Sequence, residues 1–345
     1  MQIGLFHLFP QRDPAKPLQQ IFDEARDQVV LADQLGFDFA WFAEHHFSNF
    51  SLCPSPMMMV AWCAGQTKRI KLGAGVAVLP LYNPMRLLDE VSWAHITSGG
   101  RMVLGVGTGN QLHEFRGLGV PAEIAYERFN EALDILDIGL NGAEVEYHGK
   151  HFDVPATHLS LRHPTPPEIW VAGARISGMA ERIAAKGYVP FVAAGWMPAR
   201  TLLPAREAYQ HAWAAAGRAG QTPFGIQRNL YVSENQADRL AAAEHARHTH
   251  RMIHSLKGKL ARLPDAVVPE VPAPDEPTLE QIAEMAVIGD ADHCLARLLE
   301  DVELLGVTHF SFNLQFGGLE SGKVMASMRR FAEQVLPRLK QAVGK

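Results

Sequence analysis

The sequence predicts an α/β fold of the (β/α)8 barrel type with insertions, read as a single domain over 1–345. Three observations carry that expectation. Eight short apolar runs punctuate the chain, helical stretches fall between most of them, and 345 residues suit one large barrel with insertions.

The elements follow in order. Gln2–Leu8 is the first strand, and Leu18–Leu35 a helix with Ile21, Ala25, Val29 and Ala32 on one face. Gly36 stops that helix, and the bulky run Phe37–Phe42 reads as a strand covered on both faces. A helix over Met58–Gly65 leads to a strand at Ile70–Val78, within which Gly73 and Gly75 mark a bulge or the close approach of another group. Pro84 opens the next helix, as proline does at a first turn, and Gly99-Gly100 closes it. Met102–Gly107 is a strand, Ala125–Leu140 a helix, and Val145–Phe152 a hairpin. Strand character returns at Ile169–Ala172 and, after a helix over Ser177–Lys186, at Val189–Ala193. Gln227–Val232 and Thr308–Leu314 complete the eight, before a terminal helix at Lys323–Leu339. One region breaks this rhythm: 256–278 is rich in proline and acidic residues, so it reads as a mobile lid or as a disordered surface insertion.

Composition narrows the function. An apolar share of 47% and a charged share of 20% are those of a soluble globular protein. With 32 basic and 37 acidic residues the balance is −5 and no basic stripe appears, which argues against a nucleic-acid partner. No apolar stretch is long enough for a bilayer, so no membrane association is expected. Met1 leads straight into a core-like strand without a basic leader, and the three cysteines are scattered, as in a reduced cytoplasmic protein.

Glu44-His45-His46-Phe47 carries the chemistry, because it arrives where the second strand ends. In a parallel barrel that edge builds active sites. Tandem histidines on an extended backbone point to opposite sides, so they make a poor metal chelate and no metal site is expected. Either histidine could be a packed core residue; the alternative makes one a proton donor or acceptor, with Glu44 orienting it. Gly105-Val106-Gly107-Thr108-Gly109-Asn110 lacks the third glycine of a dinucleotide fingerprint, yet its bare backbone can approach a ring or phosphate. Ala172-Gly173-Ala174-Arg175-Ile176-Ser177 opens a helix, where Ser177 fits an N-cap and the amides with Arg175 suit a phosphate. His245, His248, His250 and His254 read as one solvated helix face.

Together these features resemble the bacterial luciferase-like flavin monooxygenases. The resemblance runs from Gly4 to Phe115, through Gly36-Phe37-Asp38, Glu44-His45-His46-Phe47, Pro56, Thr67-Lys68, Leu79-Pro80, Asn83-Pro84-Met85-Arg86 and Gly100-Arg101. It weakens in the middle and returns at Gly289 and Met325–Phe331.

The resemblance implies a TIM barrel that binds reduced FMN, delivered by a separate flavin reductase, and uses O2 to oxygenate a small organic substrate through a flavin C4a-peroxide. It places His45 and His46 as active-site histidines, and a non-prolyl cis peptide at Gly75-Val76 under the flavin ring. Thr108, Gly109, Asn110, Gly173, Ala174, Arg175 and Ser177 fall at the phosphate and ribityl contacts. Phe6, Trp41, Val76, Val106 and Met57–Met59 would supply apolar walls, and helix 84–98 the homodimer contact. Thr108 stands where luciferase's catalytic subunit has an arginine, and Gly107 where it has a reactive cysteine, so light emission is not implied. Three rivals stay open: a deazaflavin- or NAD(P)H-linked oxidoreductase of the same fold, a non-catalytic flavin-binding subunit, and a metal-dependent barrel hydrolase. The substrate is not legible.

Overall fold

In a computed structural model, residues 1–173, 178–257 and 260–344 are described. Eight parallel strands close a barrel. They are β1 (Gln2–His7), β2 (Phe39–Phe42), β3 (Lys71–Val78) and β4 (Met102–Gly107), then β7 (Glu168–Ala172), β8 (Val189–Gly195), β9 (Gly225–Val232) and β11 (His309–Asn313). Strands β5 (Glu144–His148) and β6 (Asp153–His158) form a separate antiparallel hairpin. Closure is direct: β9 pairs with both β8 and β11, and β11 pairs with β1. A short extra strand, β10 (Val287–Gly289), lies along the upper half of β9. The expected TIM barrel is thus present, and each of the eight apolar runs is one of its strands.

Local chemistry explains the element ends. Helix Leu18–Leu35 stops at Gly36, whose φ of 86° is the left-handed cap that a side chain would resist. Helix Pro84–Thr97 starts with proline at its first turn while the Asn83 side chain accepts from the amides of Met85 and Arg86. The hairpin is longer than 145–152, because its return strand runs to His158. Four helices, at Leu112–Gly117, Leu203–Ala215, Leu279–Met285 and Ala291–Leu305, fall where no helix was expected.

Two apolar layers hold the barrel. Outside, Val29, Val60, Leu88, Leu136, Ile183 and their neighbours pack helices against strands. Inside, Phe39, Trp41, Val103, Trp170, Val189 and Phe191 fill the barrel. The rings of Phe39, Trp41 and Trp170 meet edge to face at 4.9 to 5.6 Å, so the barrel is a packed plug and only its mouth is left for chemistry. Phe6 and Val76 join this inner layer as expected. Val106, Met57 and Met59 do not: they pack between barrel and helices, and Met58 is exposed. Strand alternation sends Val106 outward, since its neighbour Gly105 faces in against Trp41.

Candidate active site

The Glu44-His45-His46 run leaves the end of β2 and is held by two buried carboxylates. Glu44 is buried; its Oε1 accepts from His46 Nε2 at 3.0 Å. Its Oε2 accepts from the amide of Val78 at 3.0 Å and from the Tyr82 hydroxyl at 2.8 Å. The second carboxylate is Glu114, on the short helix Leu112–Gly117 beyond β4. One oxygen, Oε1, accepts from His45 Nδ1 at 2.8 Å and from the His46 amide at 2.9 Å. The two histidines therefore turn to separate carboxylates, as alternation along an extended chain requires.

This arrangement fixes the tautomer of His45. With Glu114 ionised, Nδ1 carries the proton and Nε2 keeps the lone pair. The side chain is 20% exposed and lines a cleft of about 620 Å³ shared with His46, Phe47, Asn49, Ser51 and Ala266. Burial, the largest influence on Glu114, would raise its pKa, but the hydrogen bonds and charge of His45 and the His46 amide bring it below the usual carboxylate value. For His46, burial pulls the pKa down, while the hydrogen bond and charge of Glu44 overcome it and leave it raised. Burial lowers His113, whose Nε2 donates to the His46 carbonyl at 3.1 Å.

Beside this network the barrel mouth is lined by small residues. The Gly75-Val76 peptide is cis, at the place expected for it. A Cβ on Gly75 would lie 2.7 Å from Trp41 Cβ, and one on Gly107 would lie 2.7 Å from Val76 Cγ2 and 3.7 Å from Ala172 Cβ. The ends of β3, β4 and β7 thus converge on one cradle of small residues, packed so closely against Trp41 and Val76 that a Cβ at Gly75 or Gly107 has no room. Thr108, Gly109 and Asn110 leave it after β4, and Gly173 leaves it after β7 with φ 130°. Ala174, Arg175 and Ser177 lie outside the described residues.

Sequence reading missed Glu114 and Tyr82. Both sit next to residues that carried the resemblance, Phe115 and Asn83, but neither lies in a motif of its own. The His-rich helix is also corrected. Within Gln236–Leu256, His248 is buried, His245 Nδ1 donates to Gly317 O at 2.6 Å, and His250 packs on Trp196 with ring centroids 4.7 Å apart. These rings face the protein, not solvent.

Of the segment 256–278, Leu256 and Lys257 end the helix Gln236–Leu256 and residues 258–259 lie outside the described residues; from 260 to 278 the chain returns to this site. Val268 is buried against Leu8, Ala43, Phe50, Met252 and Leu256. Asn49 donates its amide to Ala266 O and accepts from the Val268 amide, both at 2.9 Å. Arg251 pairs with Glu276 at 2.5 Å and with Glu270 at 3.2 Å, which ties the segment to the His-rich helix. Phe50 in turn meets the His45 ring edge to face at 5.0 Å.

A barrel with carboxylate-held histidines at the end of β2, beside a flat cradle, defines a class of enzyme, and comparison with known proteins names it. The family model for luciferase-like monooxygenases matches residues 1–309, and this chain belongs to that family. An uncharacterised protein of Sinorhizobium fredii, y4vJ, is 32% identical over all of this chain and 99% of its own length. The oxygenase component of the flavin-dependent trigonelline monooxygenase of Acinetobacter baylyi is 26% identical, covering 98% of this chain and 95% of the relative. Among solved structures, the oxygenating constituent of 3,6-diketocamphane monooxygenase from Pseudomonas putida, in complex with FMN, superposes with a TM-score of 0.81. It is 19% identical and covers 98% of each chain, which shows the fold. F420-dependent enzymes also match.

Proposed function

We propose that this protein is the oxygenase of a two-component system: it takes reduced FMN from a separate reductase and inserts one atom of O2 into a small organic substrate. The observation that carries this reading is the cradle of Gly75, Val76, Gly107 and Ala172 beside the Glu114-held His45. The residues fit the cofactor, because glycine at 75 and 107 lets the strand ends close up on Trp41 and Val76, leaving small residues and backbone on which a planar ring would rest. Gly75 and Val76 would carry the ring, and Thr108, Gly109, Asn110 and Gly173 the ribityl and phosphate. Ala174, Arg175 and Ser177 are assigned to the phosphate by the resemblance alone. Reduced FMN, when bound, supplies the two electrons that activate O2.

The protein's own groups then have distinct tasks. Phe6, Trp41 and Val76 keep the mouth apolar and exclude water. Nε2 of His45 accepts or returns a proton at the reacting centre, while Glu114 holds the ring through Nδ1. His46 lines the same pocket, and Glu44 fixes it in place without reacting.

Purified chain is tested with chemically reduced FMN, a substrate panel and isotopically labelled O2. Label in the product supports the monooxygenase. Turnover with reduced deazaflavin in the absence of O2 would instead establish the hydride-transfer rival.

Two further parts of the reading concern the segment 260–278 and the outer helices. The segment is a lid over His45 through Phe50 and Val268. Limited proteolysis should cut it first, and FMN with substrate should slow that cleavage; cleavage unchanged by ligands would remove the lid role. On the outside, Met58 is 73% and Trp93 50% exposed, flanking a cleft of about 630 Å³ between the helices Pro56–Ala64 and Pro84–Thr97. Such a patch on a folded chain marks a contact surface, and we assign it to a second copy of this chain. Sedimentation should give twice the 38.0 kDa chain mass, and a monomer at micromolar concentration would refute it.

A further inference from the structure

Two neighbouring barrel strands, β9 and β11, carry a polar inner face, and nothing in the site described so far uses it. In β11 the side chains alternate: Phe310 and Phe312 pack outward, Phe312 against Phe331 of the terminal helix, whereas His309 reaches across the interior to Trp170 at 4.7 Å. Ser311 and Asn313 therefore face inward with His309. The same holds in β9, where Arg228 turns out to Asp301 and Gly225 faces Trp170, so Gln227 and Asn229 face in. Register places Ser311 beside Gln227 and Asn313 beside Asn229. The opposite wall, from Trp41 through Trp170 to Phe191, is aromatic, and the polar atoms it carries are the unpartnered indole N–H donors of Trp41 and Trp170.

This polar column has unmet hydrogen-bonding capacity. Asn313 is 3% and Ser311 0% exposed, yet Asn313 Oδ1 and Ser311 Oγ have no partner among the described residues. Buried acceptors are ordinarily satisfied, so an orphan at the mouth of a barrel points to a ligand. Asn313 is the last residue of its strand and pairs in register with Phe6. The Phe6 ring in turn stands 3.3 Å from where a Gly75 Cβ would be. From β3 to β11 is three strand spacings, about 14 Å round the wall. A tricyclic ring resting on Gly75-Val76 and crossing the mouth brings one end to Asn313.

A flavin ring has unlike ends: the dimethylbenzene edge is apolar, and the imide edge presents an N–H flanked by two carbonyls. The unlike walls select the orientation. We infer that Asn313 Oδ1 accepts the hydrogen bond of the flavin's imide N3–H, an assignment that rests on the flavin reading above. The side-chain amide can offer Nδ2 to the adjacent imide carbonyl, a paired contact that a hydroxyl cannot make. Rotation about χ2, which is a soft torsion, aims the amide at the ring. Asn313 is then a binding residue that fixes which end of the flavin lies against β11 at the barrel mouth.

Anaerobic titration with reduced FMN and reduced 3-methyl-FMN, in which a methyl replaces the imide hydrogen, followed by protein fluorescence, tests this in the native chain and in Asn313→Ala. The shorter alanine leaves room for the methyl. The native chain should bind FMN about tenfold more tightly than 3-methyl-FMN. In Asn313→Ala, FMN affinity should fall about tenfold and the preference between the two flavins should vanish. If native chain and variant bind FMN alike, or if the preference persists in the variant, the assignment of Asn313 is overturned while the flavin reading stands. If the native chain binds neither flavin, the flavin reading itself fails and the assignment with it. Asn313→Leu, of similar volume and without the acceptor, gives the FMN comparison should the alanine variant not fold.

Discussion

Replacing His45 by alanine should lower turnover by about 10²- to 10⁴-fold, the span that a positioned proton-transfer group contributes, while FMN affinity stays within about twofold, below the worth of one hydrogen bond. Nδ1 is engaged by Glu114 at 2.8 Å, so only Nε2 is available to the pocket. His45 also lies outside the cradle of Gly75, Gly107 and Ala172, so its loss leaves the ring's resting surface intact. Stability should change little, because the side chain is partly exposed and removal frees only one oxygen contact of Glu114, which keeps the His46 amide. Single-turnover assays with limiting reduced FMN separate the chemical step from binding. Turnover that survives the substitution would take His45 out of the mechanism. Glu114→Gln sharpens the test: it preserves size but replaces the carboxylate that holds Nδ1 by an amide that no longer dictates the tautomer, so it should lower turnover without removing the ring.

Much of this fold was legible because parallel barrel strands are covered on both faces and therefore stand out as short apolar runs. β2, with all four residues buried, is the clearest case. What stayed hidden has a physical cause. Helix Ala291–Leu305 buries Cys294, Leu298, Asp301 and Leu305, and the aspartate interrupts its apolar stripe. Asp301 is there because it pairs with Arg228 from β9, a contact between residues 73 apart that no local pattern reveals. Helix Leu203–Ala215 likewise buries Arg206 and Tyr209 on its inner face. The site divides the same way. Glu44, His45 and His46 are adjacent in sequence and were found together. Glu114 lies 69 residues from His45, and Asn313 comes from the far end of the chain, so only closure of the barrel brings them to the mouth. The His-rich helix failed for the opposite reason: its local pattern is polar, but the proline-rich segment covers it through Glu270 and Glu276.

Glu44→Ala should be the most destabilising change at the site, by about 3–9 kcal/mol, since it strips acceptors from three donors at once and each buried orphan costs about 1–3 kcal/mol. The Val78 amide, the Tyr82 hydroxyl and His46 Nε2 all point at this one carboxylate, which is why it ties β2 to the end of β3 just beyond the cradle. The effect should depend on pH in a direction set by His46. Glu44 is the chief reason that the pKa of His46 stands above its ordinary 6.5 against the pull of burial. A histidine with a raised folded pKa contributes stability that is fully present below about 6.5 and is lost as pH rises through the raised value. The native protein should therefore lose part of its advantage over Glu44→Ala between pH 6 and pH 8, measured by urea unfolding at each pH. Glu44→Gln, which keeps an acceptor but no charge, should recover stability at pH 8 more completely than at pH 6. A gap between native and glutamine proteins that is the same at both pH values would mean that His46 is not held by that charge. If Glu44 positions without reacting, residual turnover in Glu44→Gln should follow the fraction of chain that binds FMN; a well-folded, fully loaded variant with turnover as low as that of His45→Ala would make Glu44 a reacting group instead.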